Sequence, residues 1–210
     1  MPIDPNTAAD AGADTNQDLP ETGSPDTNLP DANLPDTNAI DTGSTCAAHG
    51  YTGVLVSFDL SSQTGSEASV PATPVAPGVT GVALTRSAAI LPVSGSGSIN
   101  GSNWAAGPSA DATRYYTFGI NAGAGCTVTL TGLTIDTVAS TQGPKTVDVA
   151  TSADAFATHT AASAGTSAST KTLAATASSP IEVRVYGYAA GATAGTLRIQ
   201  NMMTLSGTLN

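Results

Sequence analysis

The chain has 210 residues, a formal net charge of −10 and only 10% charged residues, so small polar side chains must cover much of its surface. It has no cluster of Lys and Arg that could displace the counterions of nucleic acid phosphates or hold an anionic lipid surface. It also has no run of about 18 apolar residues, the length that a membrane-spanning helix needs. We therefore expect no nucleic acid partner and no membrane span.

The acidic charge is concentrated at the start of the chain. Residues 1–45 carry nine acidic side chains and no Lys or Arg, whereas residues 46–210 carry seven acidic and six basic side chains. A five-residue unit repeats over 26–40 and brings Pro at every fifth position, which blocks helix and sheet hydrogen bonds. Like charges repel and extend such a segment. The sequence predicts an extended acidic stalk over 1–45 and one folded domain over 46–210.

The stalk is interpreted first as a disordered spacer, since it has too few apolar side chains to form a core. A weak alternative is Ca²⁺ binding by Asp26, Asp31 and Asp36, although no turn glycine or bidentate Glu completes a loop. Residues 19–23, Leu-Pro-Glu-Thr-Gly, match the sortase pentapeptide, but a whole domain follows them, which indicates a coincidence. A further alternative is a stalk ordered along a neighbouring subunit. No cofactor is expected.

Two cysteines, Cys46 and Cys126, lie on either side of the first strand-like runs. A disulfide between them is favoured in an oxidising compartment, and two unpaired buried thiols are the alternative. The first residues, 1–4, lack the basic start and apolar run of a secretory signal. This leaves a cytosolic protein or a mature secreted chain. The Thr-rich, Lys-poor composition favours an extracellular or outer-surface location.

Alternating apolar and polar residues predict strands along most of the chain beyond Cys46. The predicted strands are 54–60, 114–120, 126–131 with a continuation past a bulge at Gly132, 146–150, 181–188, 196–200 and 203–209, with weaker candidates at 81–85, 89–93 and 170–175. One helical turn is predicted at 152–158, and long loops at 61–80 and 94–113. Many short antiparallel strands predict an all-β, jelly-roll-like β-sandwich preceded by the extended acidic segment.

Several segments in order resemble a family of secreted bacterial β-sandwich domains on cell-surface proteins, many with sorting tails of the PEP-CTERM kind. They are Val79–Arg86, Asn103-Trp104, Tyr115–Phe118, Ser140–Pro144 with Ser152–Phe156, and Val185–Tyr188 with Ala194–Arg198. The stalk resembles those that follow the lipid-modified Cys of myxobacterial lipoproteins. The resemblance implies a jelly-roll-like fold, export and surface display, and it supplies no catalytic residues.

The sequence gives little support to an enzyme. Neither histidine, His49 or His159, lies in a hydrolase or zinc-protease motif. Acidic side chains on the strands could be paired for glycoside hydrolysis, but solvated or Arg-paired carboxylates are the simpler interpretation. We expect no catalytic residues and no metal site.

A binding module is the more natural hypothesis, because sugars stack on aromatic faces and bond to Asn, Asp and Arg. The candidate ligand-binding residues are Trp104, Asn100, Asn103, Asp111, Arg114, Tyr186 and Tyr188. Alternatively, Trp104 caps the core, and the two tyrosines, which face away from the apolar side of their strand, belong to a second buried layer.

The predicted function is non-catalytic adhesion, matrix contact or glycan binding at the cell surface. The alternative is a subunit of an extracellular fibre or sheath, assembled through the N-terminal segment or through an edge strand that pairs with a neighbouring sheet.

Overall fold

The computed structural model describes residues 46, 48–162, 169–178 and 180–210. The predicted stalk, with Asp26, Asp31 and Asp36, lies outside the described residues. The described residues form thirteen strands in two antiparallel sheets packed face to face. This architecture confirms the predicted all-β antiparallel sandwich. Among these residues no helix has the length and apolar character that crossing a membrane requires.

Seven strands form the first sheet: β1 (Thr52–Asp59), β3 (Thr73–Pro74), β5 (Leu91–Pro92), β6 (Ser98–Ser102), β8 (Thr127–Ala139), β11 (Ser169–Ser178) and β13 (Leu197–Leu209). Its order is β11-β8-β13-β1-β3, and β6 pairs with both β13 and β5.

Six strands form the second sheet: β2 (Ser69–Val70), β4 (Val79–Arg86), β7 (Tyr115–Ala122), β9 (Thr146–Thr151), β10 (Thr160–Ala162) and β12 (Ile181–Tyr188). Its order is β10-β9-β12-β7-β4-β2, and a short 3-10 helix, Ser152–Asp154, follows β9. From β7 onward the chain crosses repeatedly between the two sheets, as in a jelly-roll-like sandwich.

The core lies between the sheets and follows from the period-two alternation of the strands. On β12 the side chains of Ile181, Val183 and Val185 are fully buried. Across the core, the ring of Phe58 from the seven-stranded sheet meets the ring of Phe118 from the six-stranded sheet edge to face, with 5.5 Å between centroids. Such pairs of aromatic rings add about 0.5–1.5 kcal/mol beyond their buried area.

The predicted change of alternation in β8 is a β-bulge. Gly132 pairs with Ser206 and Leu130 pairs with Gly207, so Thr131 is the extra residue between two consecutive partners. The bulge lets Leu130 and Leu133 both face the core, three positions apart.

A second irregularity joins the two strands that were predicted at 196–200 and 203–209. β13 runs through both, because Asn201 adopts a left-handed φ of 61° and the pairing with β8 shifts between Gln200 and Thr204. The buried carboxylate of Asp136 accepts hydrogen bonds from the side chains of Gln200 and Asn201, at 2.9 and 2.6 Å. These bonds hold the bend in place.

The predicted loops at 61–80 and 94–113 contain short strands, and Arg86 fastens them together. Its Nε donates to the carbonyl of Asn100 at 2.8 Å, and its terminal nitrogens donate to the carbonyls of Glu67 and Gly65. Burial acts to raise the pKa of Glu67, but hydrogen bonds from the amide and hydroxyl of Thr64 and the amide of Gly65 lower it to about 2.

The outer face of the seven-stranded sheet carries rows of hydroxyl groups. One row runs through Thr52, Thr208, Thr129 and Thr176, which pair across four neighbouring strands. The hydroxyl of Thr176 donates to that of Thr129 at 3.1 Å. Such rows cover the outer face of the sheet with uncharged polar groups, as expected for a chain in which only 10% of the residues are charged.

Cys46 and Cys126 form a disulfide across a sequence separation of 80 residues, which confirms the favoured pairing. The bond lies at one end of the sandwich, where the amide of Thr127 also donates to the carbonyl of Asn210. Both ends of the described chain are thus fastened next to the start of β8.

Removing the disulfide should destabilise the domain mainly through the unfolded state. For a closed loop of this length we expect Cys46→Ser/Cys126→Ser to lower the free energy of unfolding by about 4 kcal/mol, measured by denaturant titration. Reduction of the wild-type protein should give the same loss, and a reductant should not change the double variant further. Equal stability of the oxidised and reduced wild type would contradict this role.

Candidate functional site

Trp104 lies in the core and not at an accessible site. Its side chain is 2% exposed, its indole Nε1 donates to the carbonyl of Gly101 at 2.8 Å, and its ring lies 5.1 Å from that of Tyr116. A side chain at Gly187 would meet the Trp104 ring, so glycine there leaves room for it. This corrects the expectation of an accessible Trp104 and supports the alternative that it caps the core, because no ring face is left for a sugar to stack on.

Asn100 and Asn103 hold loops in place. Asn100 is buried, and its side-chain amide donates to the carbonyl of Ser94 at 3.0 Å. Asn103 adopts a φ of 69° and donates to the carbonyl of Ala89 at 2.9 Å. The side-chain NH2 groups of both residues are thus engaged in the fold.

The remaining predicted residues lie nearer to one another. Asp111 and Arg114 form a salt bridge of 3.0 Å, about two-thirds buried, in the loop that leads into β7. The neighbours of Asp111, Ala110 and Ala112, line a groove whose wall includes Tyr186. Thus the structure brings this loop to Tyr186 and leaves Trp104, Asn100 and Asn103 elsewhere.

This groove, which we call the Arg184 groove, lies on the outer face of the six-stranded sheet and has a volume of about 210 Å³. It is lined by Ala110, Ala112, Ala155, Phe156, His159, Arg184 and Tyr186. Pockets for drug-sized ligands run from about 300 to 1,000 Å³, so this one has room for a single small ring.

Arg184 is held between two aromatic rings. Its guanidinium carbon lies 4.2 Å from the ring centroid of Tyr115 and 3.9 Å from that of Phe156, within the range of cation–π attraction. Its Nε donates to Glu182 Oε1 at 2.7 Å, and Glu182 also accepts from the hydroxyl of Thr117 at 2.8 Å. The guanidinium is therefore fixed in position before any ligand arrives.

The electrostatics favour the charged form of Arg184. Burial acts to lower its pKa, but the hydrogen bonds to Glu182 and Tyr186 and the charge of Glu182 outweigh burial and raise the pKa. The side chain thus presents a permanent cation to the groove.

The turn after β9 places Phe156 over Arg184. Ala155 and Phe156 both adopt left-handed φ values, 56° and 63°, which cost about 1–3 kcal/mol each for residues other than glycine. The turn is closed by the amide of Phe156, which donates to the carbonyl of Thr151, and by Asp154, which accepts from the amide of Thr158 at 2.9 Å. Hydrogen bonds from the side chain and amide of Thr158 lower the pKa of Asp154.

His159 forms the other wall. Its ring stacks on Tyr186, with 5.2 Å between centroids and 29° between planes, and covers that tyrosine, which is 3% exposed. Behind them, Asp148 Oδ2 lies 3.5 Å from His159 Nδ1 and accepts the Tyr188 hydroxyl at 2.7 Å. The two tyrosines do face away from the core, and Tyr186 belongs to a second covered layer.

A wider depression of about 570 Å³ lies on the same sheet, lined by Val82, Thr117, Asn121, Ser152, Pro180 and Glu182 among others. Glu182 thus borders this depression and bonds to Arg184 of the groove.

The described residues contain no group of three His, Cys, Asp or Glu side chains placed to hold a metal ion.

Comparison with known proteins identifies no relative: no family model matches the chain, and no curated protein or solved structure matches it. The resemblance to secreted bacterial surface domains stays a prediction.

Shortening Trp104 should affect stability. Trp104→Ala removes a buried ring from the core, and we expect a loss of roughly 3–5 kcal/mol in the free energy of unfolding, measured by chemical denaturation. Trp104→Phe, which keeps an aromatic ring, should lose less. Wild-type stability of Trp104→Ala would show that the ring is not packed as described.

Tyr188 should titrate late. Its hydrogen bond to Asp148, with burial and the charge of Asp148, raises its pKa from 10.0 to about 12. The folded state therefore holds the proton more tightly than the unfolded state, so this contribution to stability is complete below pH 10 and is lost as the pH rises towards 12. In a pH titration followed by tyrosinate absorbance, the rise near pH 12 should be absent in Tyr188→Phe. In Asp148→Asn the same rise should occur at a lower pH. An unchanged curve in both variants would contradict the assignment.

Proposed function

We propose that this protein is a non-catalytic surface protein that binds glycans through the Arg184 groove, and so serves adhesion or contact with a polysaccharide matrix. The observation that carries the proposal is the fixed guanidinium between Tyr115 and Phe156 in a groove large enough for one small ring. Rigid polar and aromatic groups converge on a shallow surface there.

Sugar rings have apolar faces and hydroxyl edges, and the groove offers a partner for each. Phe156 is half-buried and His159 is exposed, so parts of both rings are accessible for stacking. A guanidinium has five donors for hydroxyl or carboxylate oxygens, and Arg184 uses its Nε–H on Glu182. Pre-positioned groups of this kind reduce the entropy lost on binding.

An extracellular location is consistent with the disulfide, since such bonds persist in oxidising compartments. The segments that resemble secreted bacterial surface domains support the same proposal. Display on a cell surface would present the groove to polysaccharides of a matrix or of another cell.

The fibre alternative has one observation in its favour. β11 is a ten-residue strand at the edge of the seven-stranded sheet and, in the part of the chain that is described, pairs with β8 on one side. Lys171 lies within this strand, and a charge on an edge strand disfavours pairing with another sheet. Glycan binding is therefore the function that the geometry supports better.

The proposal is tested by affinity electrophoresis of the full chain through gels that contain single polysaccharides, both neutral and acidic. We expect at least one polymer to retard the wild type. His159→Ala and Phe156→Ala should each weaken that retardation about tenfold or more, because each removes a stacking ring.

His49→Ala is the matched control, since His49 is also an exposed histidine and lies outside the groove. It should behave as the wild type does. Retardation that is the same in His159→Ala, Phe156→Ala and wild type would overturn the assignment of the groove, and no retardation by any polymer would overturn glycan binding itself.

A further inference from the structure

We infer that the ligand of the Arg184 groove is an acidic saccharide, a uronic acid residue whose carboxylate pairs with Arg184. This inference rests on the proposed function and adds the chemical class of the ligand. It is carried by the distribution of charge around the groove.

Among the described residues, the lining of the groove contains the Arg184 cation and no carboxylate. Of the described residues that line it, Arg184 and His159 are basic and none is acidic. Two carboxylates contact these side chains from outside the lining: Glu182 accepts from Arg184 Nε, which leaves the terminal nitrogens of the guanidinium, and Asp148 lies 3.5 Å from His159 Nδ1. Asp111 accepts from the amide and hydroxyl of Thr113 and from Arg114.

The orientation of Arg184 suits a carboxylate. Glu182 accepts a hydrogen bond from Arg184 Nε, and the rings of Tyr115 and Phe156 pack against the guanidinium. These contacts fix the orientation of the guanidinium plane. A planar guanidinium can donate two parallel hydrogen bonds to a carboxylate, a geometry that a point charge such as Lys does not offer. The volume of about 210 Å³ fits the single ring that carries this carboxylate.

The domain that contains the groove has little net charge to oppose such a ligand. Residues 46–210 carry seven acidic and six basic side chains, so this part of the chain is nearly neutral.

The experiment compares three polymers with the full-length protein by isothermal titration calorimetry: polygalacturonate, the same polymer fully methyl-esterified, and dextran sulfate. We expect binding to polygalacturonate that weakens at least tenfold when its carboxylates are esterified. Arg184→Gln should weaken it at least tenfold, and Arg184→Lys should stay well below wild type although it keeps the charge.

Lys171→Gln is the matched control, because it also removes one positive charge but lies on β11, outside the groove. It should bind as the wild type does. Thermal unfolding of each variant checks that the fold is intact, and Arg184→Lys gives a second test if Arg184→Gln is unstable.

The outcomes separate this inference from the proposed function. Equal binding of the esterified polymer, still sensitive to His159→Ala, would keep the glycan site and overturn the acidic ligand. Dextran sulfate binding as tightly as polygalacturonate would overturn the carboxylate pairing. If no polymer binds in a manner sensitive to His159→Ala or Phe156→Ala, the proposed function itself falls.

Discussion

The strict alternation of side chains along β12 is the constraint on which the candidate site depends. Ile181, Val183 and Val185 are fully buried between the sheets, and each contributes apolar area that stabilises the sandwich. Because successive side chains point to opposite faces, the residues between them, Glu182 and Arg184, are turned outward. The core therefore determines which side of the sheet carries the cation, and a slip of one residue in β12 would bury the charges and expose the core.

On that outer face, the position of Arg184 is set by contributions from three elements. β7 supplies Tyr115, β12 supplies Glu182, and the turn after β9 supplies Phe156 with its left-handed backbone. The strain at Ala155 and Phe156 must be offset by the hydrogen bonds of the turn and by the contact with the guanidinium. Backbone strain of this kind clusters at ligand-binding sites, so its presence at the groove is consistent with the proposed function.

The fold and the site differed in how far they could be predicted from the sequence. The alternation of apolar and polar residues in β7, β9 and β12 was enough to predict the β-sandwich. The change in that alternation at Gly132 was enough to predict the bulge in β8. The outward placement of Glu182 and Arg184 followed from the same pattern, although only the tyrosines of that face were named as candidate ligand-binding residues. β6 was missed because Ile99 is the only large apolar residue among its five.

The parts that could not be predicted depend on contacts between distant segments. Nothing in the types of Ala155 and Phe156 indicates positive φ, so the approach of Phe156 and His159 to β12 has no local signal. Trp104 lies in a turn-rich segment that suggests exposure, yet the space beside Gly187 on another strand accepts its ring. Whether a loop side chain is buried depends on such a space elsewhere in the fold, and the sequence of the loop gives no sign of it.

The disulfide also determines how the domain would carry mechanical load. Tension applied to the chain before Cys46 passes through the covalent bond to Cys126, beside the start of β8, and does not first reach β1. β8 is paired on both sides, with β11 and β13, so the load would enter the sheet at a strand with two hydrogen-bonded neighbours. Without the bond, the same pull would be applied to β1, the first strand of the chain. The cross-link thus moves the point of attachment from β1 to β8.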